Sequence, residues 1–443
     1  MSNPIALEPA LDRMRKILTI SESRLRNVIL SFQEEMRRGL AGEPGSLKML
    51  PTYIDLPTGR EKGPFLALDL GGTNVRIIRV DLPGDRTVPR FLSDHFRLSR
   101  RDISTDGPVL FGAIARFIGR FLQGQGRTGP WNMGFTFSFA IRQSSIDRGE
   151  LIGWTKGWTA EGVVGRDVVD LLNRALAAEG IAAVKVVSLN NDTTGTLMAG
   201  AYLDPDCDVG CILGTGTNMC YRERTSSFRK PIGHYPGEFM IVNMESGNFD
   251  AALLRTPYDA LLDARSENPG LQAEEKMVSG KYLGETARLI IADLVGRGML
   301  FGGRLPEAFA APGEFGSERL SEIEEDPSPT AEGVRSRLKT WGIEAGGVDA
   351  RALREVARAV SGRAARLAAA VLVACVTKND PALERAHAAA VDGSLYQKYS
   401  GFRGRMEETV RELLGARAGG LRLNPVPDGS GFGAAVIAAV SSR

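Results

Sequence analysis

The stretch from Gly134 to Trp158 carries polar side chains that suit a small polyhydroxylated ligand. It begins as a predicted strand in which apolar and hydroxyl side chains alternate: Phe135, Thr136, Phe137, Ser138 and Phe139. A polar, glycine-containing loop follows, from Arg142 to Gly153, and leads to Thr155 and Lys156. Hydroxyl groups can fix the orientation of such a ligand, and a lysine can stabilise an oxygen that becomes anionic. We therefore expect Ser138, Thr155 and Lys156 to form part of a binding site beside a loop that can move.

Two glycine-containing turns predict sites for phosphate groups. The first, Asp69-Leu70-Gly71-Gly72-Thr73-Asn74, lies between two apolar strands, so it is neither a dinucleotide-binding fingerprint nor a P-loop. Gly71 and Gly72 would let backbone N–H groups approach phosphate oxygens closely. Three kinds of side chain can assist: the donors Thr73 and Asn74, the cation Arg76, and Asp69 as a holder of hydrated Mg²⁺. Alone, this turn is also typical of an ordinary hairpin, but a second turn, Gly214-Thr215-Gly216, allows a triphosphate to be held from both sides.

Asp192 is the candidate general base for phosphoryl transfer to an alcohol. That reaction needs a group that accepts the hydroxyl proton as the P–O bond forms, and a positioned carboxylate can do so. Asp192 follows an apolar strand, Val184 to Leu189, and lies between Asn191 and Thr193. The same residue type is a favoured helix cap, and the two roles are compatible. With Asp69, it is also a candidate to hold Mg²⁺ through water.

In their order along the chain, these motifs closely resemble those of the hexokinase family, from about Phe65 to the C-terminus. The resemblance includes Phe137-Ser138-Phe139 with Trp154-Thr155-Lys156-Gly157, and Asn191-Asp192-Thr193. It implies catalytic roles for Asp192 and Lys156 and a set of sugar-binding residues: Ser138, Thr155, Lys156, Asn191, Asp192, Asn218, Glu245 and Glu275. Glu275 is preferred to Glu274 because it follows Asn268-Pro269-Gly270 at the family's spacing.

The same resemblance implies Mg-ATP as the phosphoryl donor and cofactor. The two glycine turns would bind its phosphates, and Gly393 and Ser394, with the later Gly429-Ser430-Gly431, would lie near its nucleoside. This chain departs from the family at Ala140, where proline is common, and at Ser246, where tryptophan is common. Both departures lie beside the expected sugar pocket and bear on sugar preference.

The elements that must position these residues predict an α/β protein. Two helices are expected before Gly42, and the chain then alternates strands with helices from Phe65 onward. The resemblance implies a two-lobed actin-like ATPase (ribonuclease H-like) fold with a cleft between a small and a large domain. We expect residues 1–63 and 192–430 to form the large domain, and residues 64–191 and 431–443 the small one. Other predicted elements include a strand from Asn132 to Ile141 and a helical stretch from Gly195 to Tyr202.

Composition limits the possible partners. The 443 residues carry a formal net charge of +2, which argues against a dedicated nucleic-acid-binding protein. The longest apolar run, Leu367 to Val376, is too short to span a bilayer and is expected to be a buried helix segment. The four cysteines lack metal-site spacing and are expected to be reduced and buried. A cytoplasmic monomer or homodimer that acts on a small hexose is the resulting expectation.

The expected activity is transfer of the ATP γ-phosphoryl group to the 6-hydroxyl of glucose, or of other hexoses, with Asp192 as general base. One alternative is a catalytically silent, hexokinase-like sugar sensor that keeps the pocket. A second alternative is an actin- or chaperone-like ATPase of the same fold, which would hydrolyse ATP without a sugar.

Overall fold

The computed structural model describes residues 4–124, 129–154 and 157–442. The described part of the chain contains these α-helices: α1 (Pro4–Leu18), α2 (Glu22–Ala41), α3 (Gly107–Gln123), α4 (Val168–Ala178), α5 (Asp192–Leu203), α6 (Pro257–Arg265), α7 (Ala273–Val278), α8 (Gly280–Gly296), α9 (Ser317–Glu324), α10 (Glu332–Thr340), α11 (Gly347–Asn379), α12 (Ser394–Lys398), α13 (Phe402–Leu414) and α14 (Gly429–Ser441). Its strands are β1 (Leu50–Pro51), β2 (Lys62–Leu70), β3 (Asn74–Pro83), β4 (Arg90–Arg97), β5 (Trp131–Phe137), β6 (Ala140–Ser145), β7 (Arg148–Gly153), β8 (Val184–Asn190), β9 (Cys207–Leu213), β10 (Thr217–Arg224), β11 (Phe239–Asn243), β12 (His387–Asp392) and β13 (Leu421–Pro425).

The first sheet has the strand order β4-β3-β2-β5-β8. β2 and β3 form an antiparallel hairpin around the first glycine turn, while β5 runs parallel to both β2 and β8. Successive β2 side chains point to opposite faces, so Leu66, Leu68 and Leu70 join a core that includes α3 and α4. Ala67 instead joins a core that includes α5 and α14. The sheet is therefore covered on both faces.

The second sheet has the order β1-β11-β10-β9-β12-β13. β9 and β10 form an antiparallel hairpin around the second glycine turn, and β12 runs parallel to β9 and β13. The long helix α11 packs against α1, α2, α8 and α13 in the largest core. By length and composition α11 could cross a membrane, but 83% of its most apolar window is buried inside the protein, as expected for a core helix.

Helices α5 and α14 join the two sheets. α5 packs on β9 and β12, whereas α14 packs on β2 and β5, and the two helices contact each other extensively. Glycine permits this approach: a Cβ on Gly433 would lie 1.7 Å from the Gly195 carbonyl oxygen. The N-terminus of α5, which carries Asp192, is thereby held at the junction of the sheets.

Several predicted elements differ from the structure. The expected strand from Asn132 to Ile141 is divided, since β5 ends at Phe137 and β6 begins at Ala140. The expected loop from Arg142 to Gly153 is largely the β6–β7 hairpin, in which backbone pairing orders the polar side chains. α5 begins three residues earlier than expected because Asn191 caps it.

The segment 326–329 connects α9 to α10 and is tied to α11, although Pro327 and Pro329 are exposed. The Asp326 side chain is buried, and the Arg354 guanidinium donates to the carbonyl of Asp326 at 3.1 Å. The same guanidinium also contacts the carbonyls of Ser328 and Pro329.

The four cysteines are free and buried, as expected. The domain bounds stay a prediction.

Candidate active site at the junction of the two sheets

Asp192 is the first residue of α5 and follows the end of β8 by two positions. Asn191 is the N-cap, and its Oδ1 accepts the Thr193 N–H at 2.8 Å. Asp192 Oδ1 accepts the same N–H at 2.8 Å. The Asn190 side chain donates to Thr136 Oγ1 at 2.9 Å, which ties the end of β8 to β5. Asn191 serves as the cap, and the Thr193 N–H holds the partly exposed Asp192 carboxylate in place.

Glu245 and Asn218 are joined by a side-chain network. Asn218 donates to Asn243 Oδ1 at 2.8 Å, and Asn243 donates to Glu245 Oε1 at 2.9 Å. Asn218 Oδ1 accepts the Ser246 N–H at 3.1 Å. Glu245 has a φ of 55°, a conformation that is uncommon for a non-glycine residue and is often found at functional sites.

The electrostatics of Glu245 show that three predicted carboxylates converge. Burial raises its pKa, and the Asn243 hydrogen bond opposes that rise. The negative charges of Asp192 and Glu275 raise the pKa further. Since this effect falls off with distance, the three carboxylates, from α5, the 245 turn and α7, lie around one site.

Glu275 lies between the second glycine turn and the 245 turn. Its Oε2 accepts the Thr217 N–H at 3.2 Å. A Cβ on Gly216 would stand 2.8 Å from that oxygen, and a Cβ on Gly247 would stand 3.1 Å from the Glu275 Cβ. Glycine at both positions therefore leaves room for the Glu275 side chain.

The first glycine turn lies beside Ser138. The Ser138 N–H donates to the Leu70 carbonyl at 3.1 Å, and a Cβ on Gly71 would lie 3.4 Å from Ser138 Oγ. A Cβ on Gly72 would meet no atom within 4 Å, so this part of the turn faces open space. Asp69, at the end of β2, accepts from Ser430 Oγ of α14 at 3.4 Å. The turn is thus open to a ligand and has a carboxylate beside it.

The second glycine turn packs against the strand end at Gly393. Gly214 donates to the Gly216 carbonyl at 3.0 Å, and the exposed Thr215 accepts the Lys281 N–H at 3.2 Å. Gly393 has a φ of 114°, and a Cβ there would lie 2.3 Å from the Leu213 carbonyl oxygen. Ser394 is exposed at the start of α12. The structure therefore brings together Gly214 and Gly393, which the sequence placed about 180 residues apart.

Arg76 forms an ion pair within the protein, and its expected role toward a phosphate stays a prediction. Its guanidinium forms a two-pronged ion pair with Asp428, with N–O distances of 2.8 and 3.2 Å. Thr73 accepts the Leu98 N–H at 2.7 Å through its carbonyl, and Asn74 is exposed at the start of β3. Asp428 was not predicted; nothing in its sequence context distinguishes it from an ordinary turn residue. Thr155 and Lys156 lie outside the described residues.

Asn243 was also missing from the predicted site. Asn243 is the last residue of β11 and precedes Glu245 by two positions, and this spacing is the signal that could have identified it.

Oxygen ligands such as Asp69 and Asp192 suit Mg²⁺, which commonly keeps several waters. Within the described ranges, no group of three or more His, Cys, Asp or Glu side chains could hold a metal directly.

The sequence of this chain is similar to known protein families and proteins over nearly its whole length. Two family models, both described as hexokinase, match residues 10–202 and 208–440. Hexokinase-7 of Oryza sativa subsp. japonica is 38% identical, covering 99% of this chain and 98% of that protein. Hexokinase HKDC1 of Homo sapiens is 40% identical over 98% of this chain, but the match spans 48% of that protein. The chain thus spans about half the length of its human relative.

The fold of this chain is also similar to that of a solved structure. The hexokinase from Schistosoma mansoni complexed with glucose superposes with a TM-score of 0.88 at 35% identity, and the match covers 99% of both chains. The two-sheet α/β fold with α5 and α14 between the sheets is therefore the fold of that hexokinase. On this agreement of family models, full-length relatives and fold, the chain belongs to the hexokinase family.

Proposed function

We propose that this protein phosphorylates glucose, and other hexoses, at the 6-hydroxyl, using Mg-ATP and releasing ADP. The observation that carries the proposal is the convergence of Asp192, Glu245 and Glu275 beside the glycine turn at Gly216. Carboxylates that accept hydrogen bonds suit a polyhydroxylated sugar, and one of them can take the proton of the reacting hydroxyl.

The sugar side of the reaction uses acceptors held in fixed positions. Glu245 and Glu275 would accept hydroxyl hydrogen bonds, while Asn218, held by Asn243, would complete the set. Asp192 would act as general base because its carboxylate is fixed by the Thr193 N–H and is partly exposed at the start of α5. Burial and the negative charge of Asp192 both raise the pKa of Glu245.

The phosphate side of the reaction uses backbone donors and a cation. The Gly71-Gly72 turn faces open space and the Gly214 turn lies against Gly393, an arrangement that suits phosphate groups entering between them. Mg²⁺, when bound with ATP, neutralises charge on the β- and γ-phosphates. Asp69 and Asp192 would hold it through water, and Lys156 would stabilise charge on the transferred group.

Aromatic packing supports the ends of the segment that carries Thr155 and Lys156. Trp154 and Trp158 stack with ring centroids 5.0 Å apart, and Phe139 packs on both at 4.9 and 5.1 Å. Phe139 adjoins Ser138, so Trp154 and Trp158 pack beside a residue next to the predicted sugar contact. Closure of the two lobes on the sugar would exclude water, the main competing acceptor.

The test is coupled detection of ADP with Mg-ATP, with and without glucose, on the wild type and on Asp192→Ala. We expect sugar-dependent release of ADP and glucose 6-phosphate, with a loss of at least about 10²-fold in kcat for Asp192→Ala and preserved glucose binding by calorimetry. Asp12→Ala, on the exposed face of α1, is the matched control and should behave as wild type.

Each other outcome points to a different function. Near-normal turnover of Asp192→Ala would remove Asp192 from the role of base. Glucose binding without ADP release by the wild type would indicate the silent sugar sensor. ADP release that does not depend on sugar would indicate an ATPase.

A further inference from the structure

Glu274 is a buried carboxyl group beside one of the predicted sugar-binding residues. Its side chain is fully buried, with 0% exposure, whereas the adjacent Glu275 is partly exposed. Neither Glu274 oxygen has a hydrogen-bond partner among the described residues. A buried polar group without a partner is rare in folded proteins and calls for an explanation.

The position of Glu274 links it to both sugar-binding glutamates. Its N–H donates to the Phe249 carbonyl at 3.0 Å, which joins α7 to the turn that follows Glu245. α7 has six residues, Ala273–Val278, and packs against that turn, α8 and α11. Glu274 and Glu275 are adjacent residues of this short helix, one buried and one partly exposed, so a displacement of α7 moves both.

The surroundings of Glu274 favour an uncharged carboxyl. Burial raises the pKa of Glu274 well above its ordinary value, and the neighbouring charge of Glu275 adds to the effect. The nearby titratable groups on other elements are the thiols of Cys211 on β9 and Cys375 on α11. Burial also raises the pKa values of these thiols, so they are uncharged and offer no positive partner.

The cations near α7 are engaged elsewhere. Lys276, on α7 itself, donates to Asp263 of α6 at 2.5 Å. Lys281, on α8, is paired with Glu267 at 3.1 Å, and Arg288, on α8, with Glu285 at 2.7 Å. Glu245, the other carboxyl coupled to Glu275, is also negative when ionised and so cannot form an ion pair with Glu274. An ionised Glu274 would therefore be a buried charge with no compensating partner.

We propose that Glu274 is a positioning residue for sugar binding: its uncharged carboxyl, packed behind α7, keeps Glu275 against Thr217, and its ionisation displaces α7 and weakens binding of the hexose. This inference rests on the proposed function, because it assigns to Glu274 a role in the same sugar site. Since a single proton is involved, the glucose dissociation constant can rise by at most tenfold per pH unit above the Glu274 pKa.

The experiment measures glucose binding by calorimetry from about pH 6.5 to 9.5 for the wild type, Glu274→Gln and Glu274→Met. Glutamine keeps the shape of the uncharged acid and methionine keeps its volume, but neither can ionise. We expect weakening of at least about threefold for the wild type across this range, and a flat profile for both variants. Glu307→Gln, the same change at an exposed position, is the matched control and should follow the wild type.

Parallel steady-state assays separate this inference from the proposed function. The KM for glucose should follow the binding profile, while the difference in kcat between wild type and Glu274→Gln stays constant with pH. Profiles of Glu274→Gln and Glu274→Met that match the wild type would overturn the role of Glu274 while leaving hexokinase activity intact. A wild type that binds no hexose at any pH would overturn the proposed function itself.

Discussion

Gly433→Ala tests whether close contact of α5 and α14 sets the position of the catalytic base. A Cβ at residue 433 would lie 1.7 Å from the Gly195 carbonyl oxygen, although Cβ contacts under 3.0 Å essentially do not occur. Both groups belong to helix backbones and cannot rotate away. The two helices must therefore separate by more than about 1 Å, an overpacking strain of about 3 kcal/mol. The better helix propensity of alanine offsets about 1 kcal/mol, which leaves a net loss of about 2 kcal/mol.

The consequence for catalysis follows from where α5 begins. Asp192 is its first residue, so a 1 Å shift of the helix misplaces the carboxylate, and displacements of this size can lower kcat by about 10²-fold. Urea denaturation gives the stability change, and ADP release at saturating glucose gives kcat. Gly404→Ala in α13 is the matched control. Its Cβ would meet no atom within 4 Å, so it should stabilise the protein by about 0.5–1 kcal/mol. Gly433→Ala with wild-type stability and kcat would refute the reasoning.

Two further predictions concern charges outside the site. Burial disfavours the charged form of His387, but hydrogen bonds with Asp208 and Asp380 outweigh it and raise its pKa. The resulting stabilisation is full below about pH 6.5 and is lost as pH rises through the folded-state pKa. Urea denaturation should therefore show the difference between wild type and His387→Gln shrinking from pH 6 to 9; a constant difference would contradict this. Arg363→Met should cost about 3–5 kcal/mol, because it leaves buried Asp259 without its ion-pair partner, and adding Asp259→Asn should recover part of that loss.

The motifs of the site could be read from the sequence because local chemistry specifies them. Gly71 and Gly393 stand at strand ends whatever the remainder of the chain does, and Asp192 follows an apolar strand. Helix ends were also readable, as with Gly42, which ends α2 at a φ of 77°. The β6–β7 hairpin was missed because its inward face carries few apolar residues, mainly Ile141 and Leu151, and so gives little periodic signal.

Partners that lie far apart in the chain could not be read in this way. The Arg76–Asp428 ion pair joins residues 352 positions apart, and no local pattern in the sequence pairs them. Glu274 was set aside in favour of its neighbour Glu275, and no local pattern showed that the Glu274 carboxyl is buried with no hydrogen-bond partner in the described part of the chain. Likewise, no local pattern pairs Asp326 with Arg354, which lies 28 positions away on α11.

The sequence by itself determined the family, the α/β class and most of the candidate site residues, because residue type and local spacing decide which groups can do the chemistry. Only the tertiary structure decided how those groups meet. The contact of Gly195 with Gly433 places Asp192 at the junction of the sheets, and the electrostatic coupling of Glu245 with Asp192 and Glu275 arises there. The physical reason is that burial and charge interactions depend on distance in space, which local sequence does not specify.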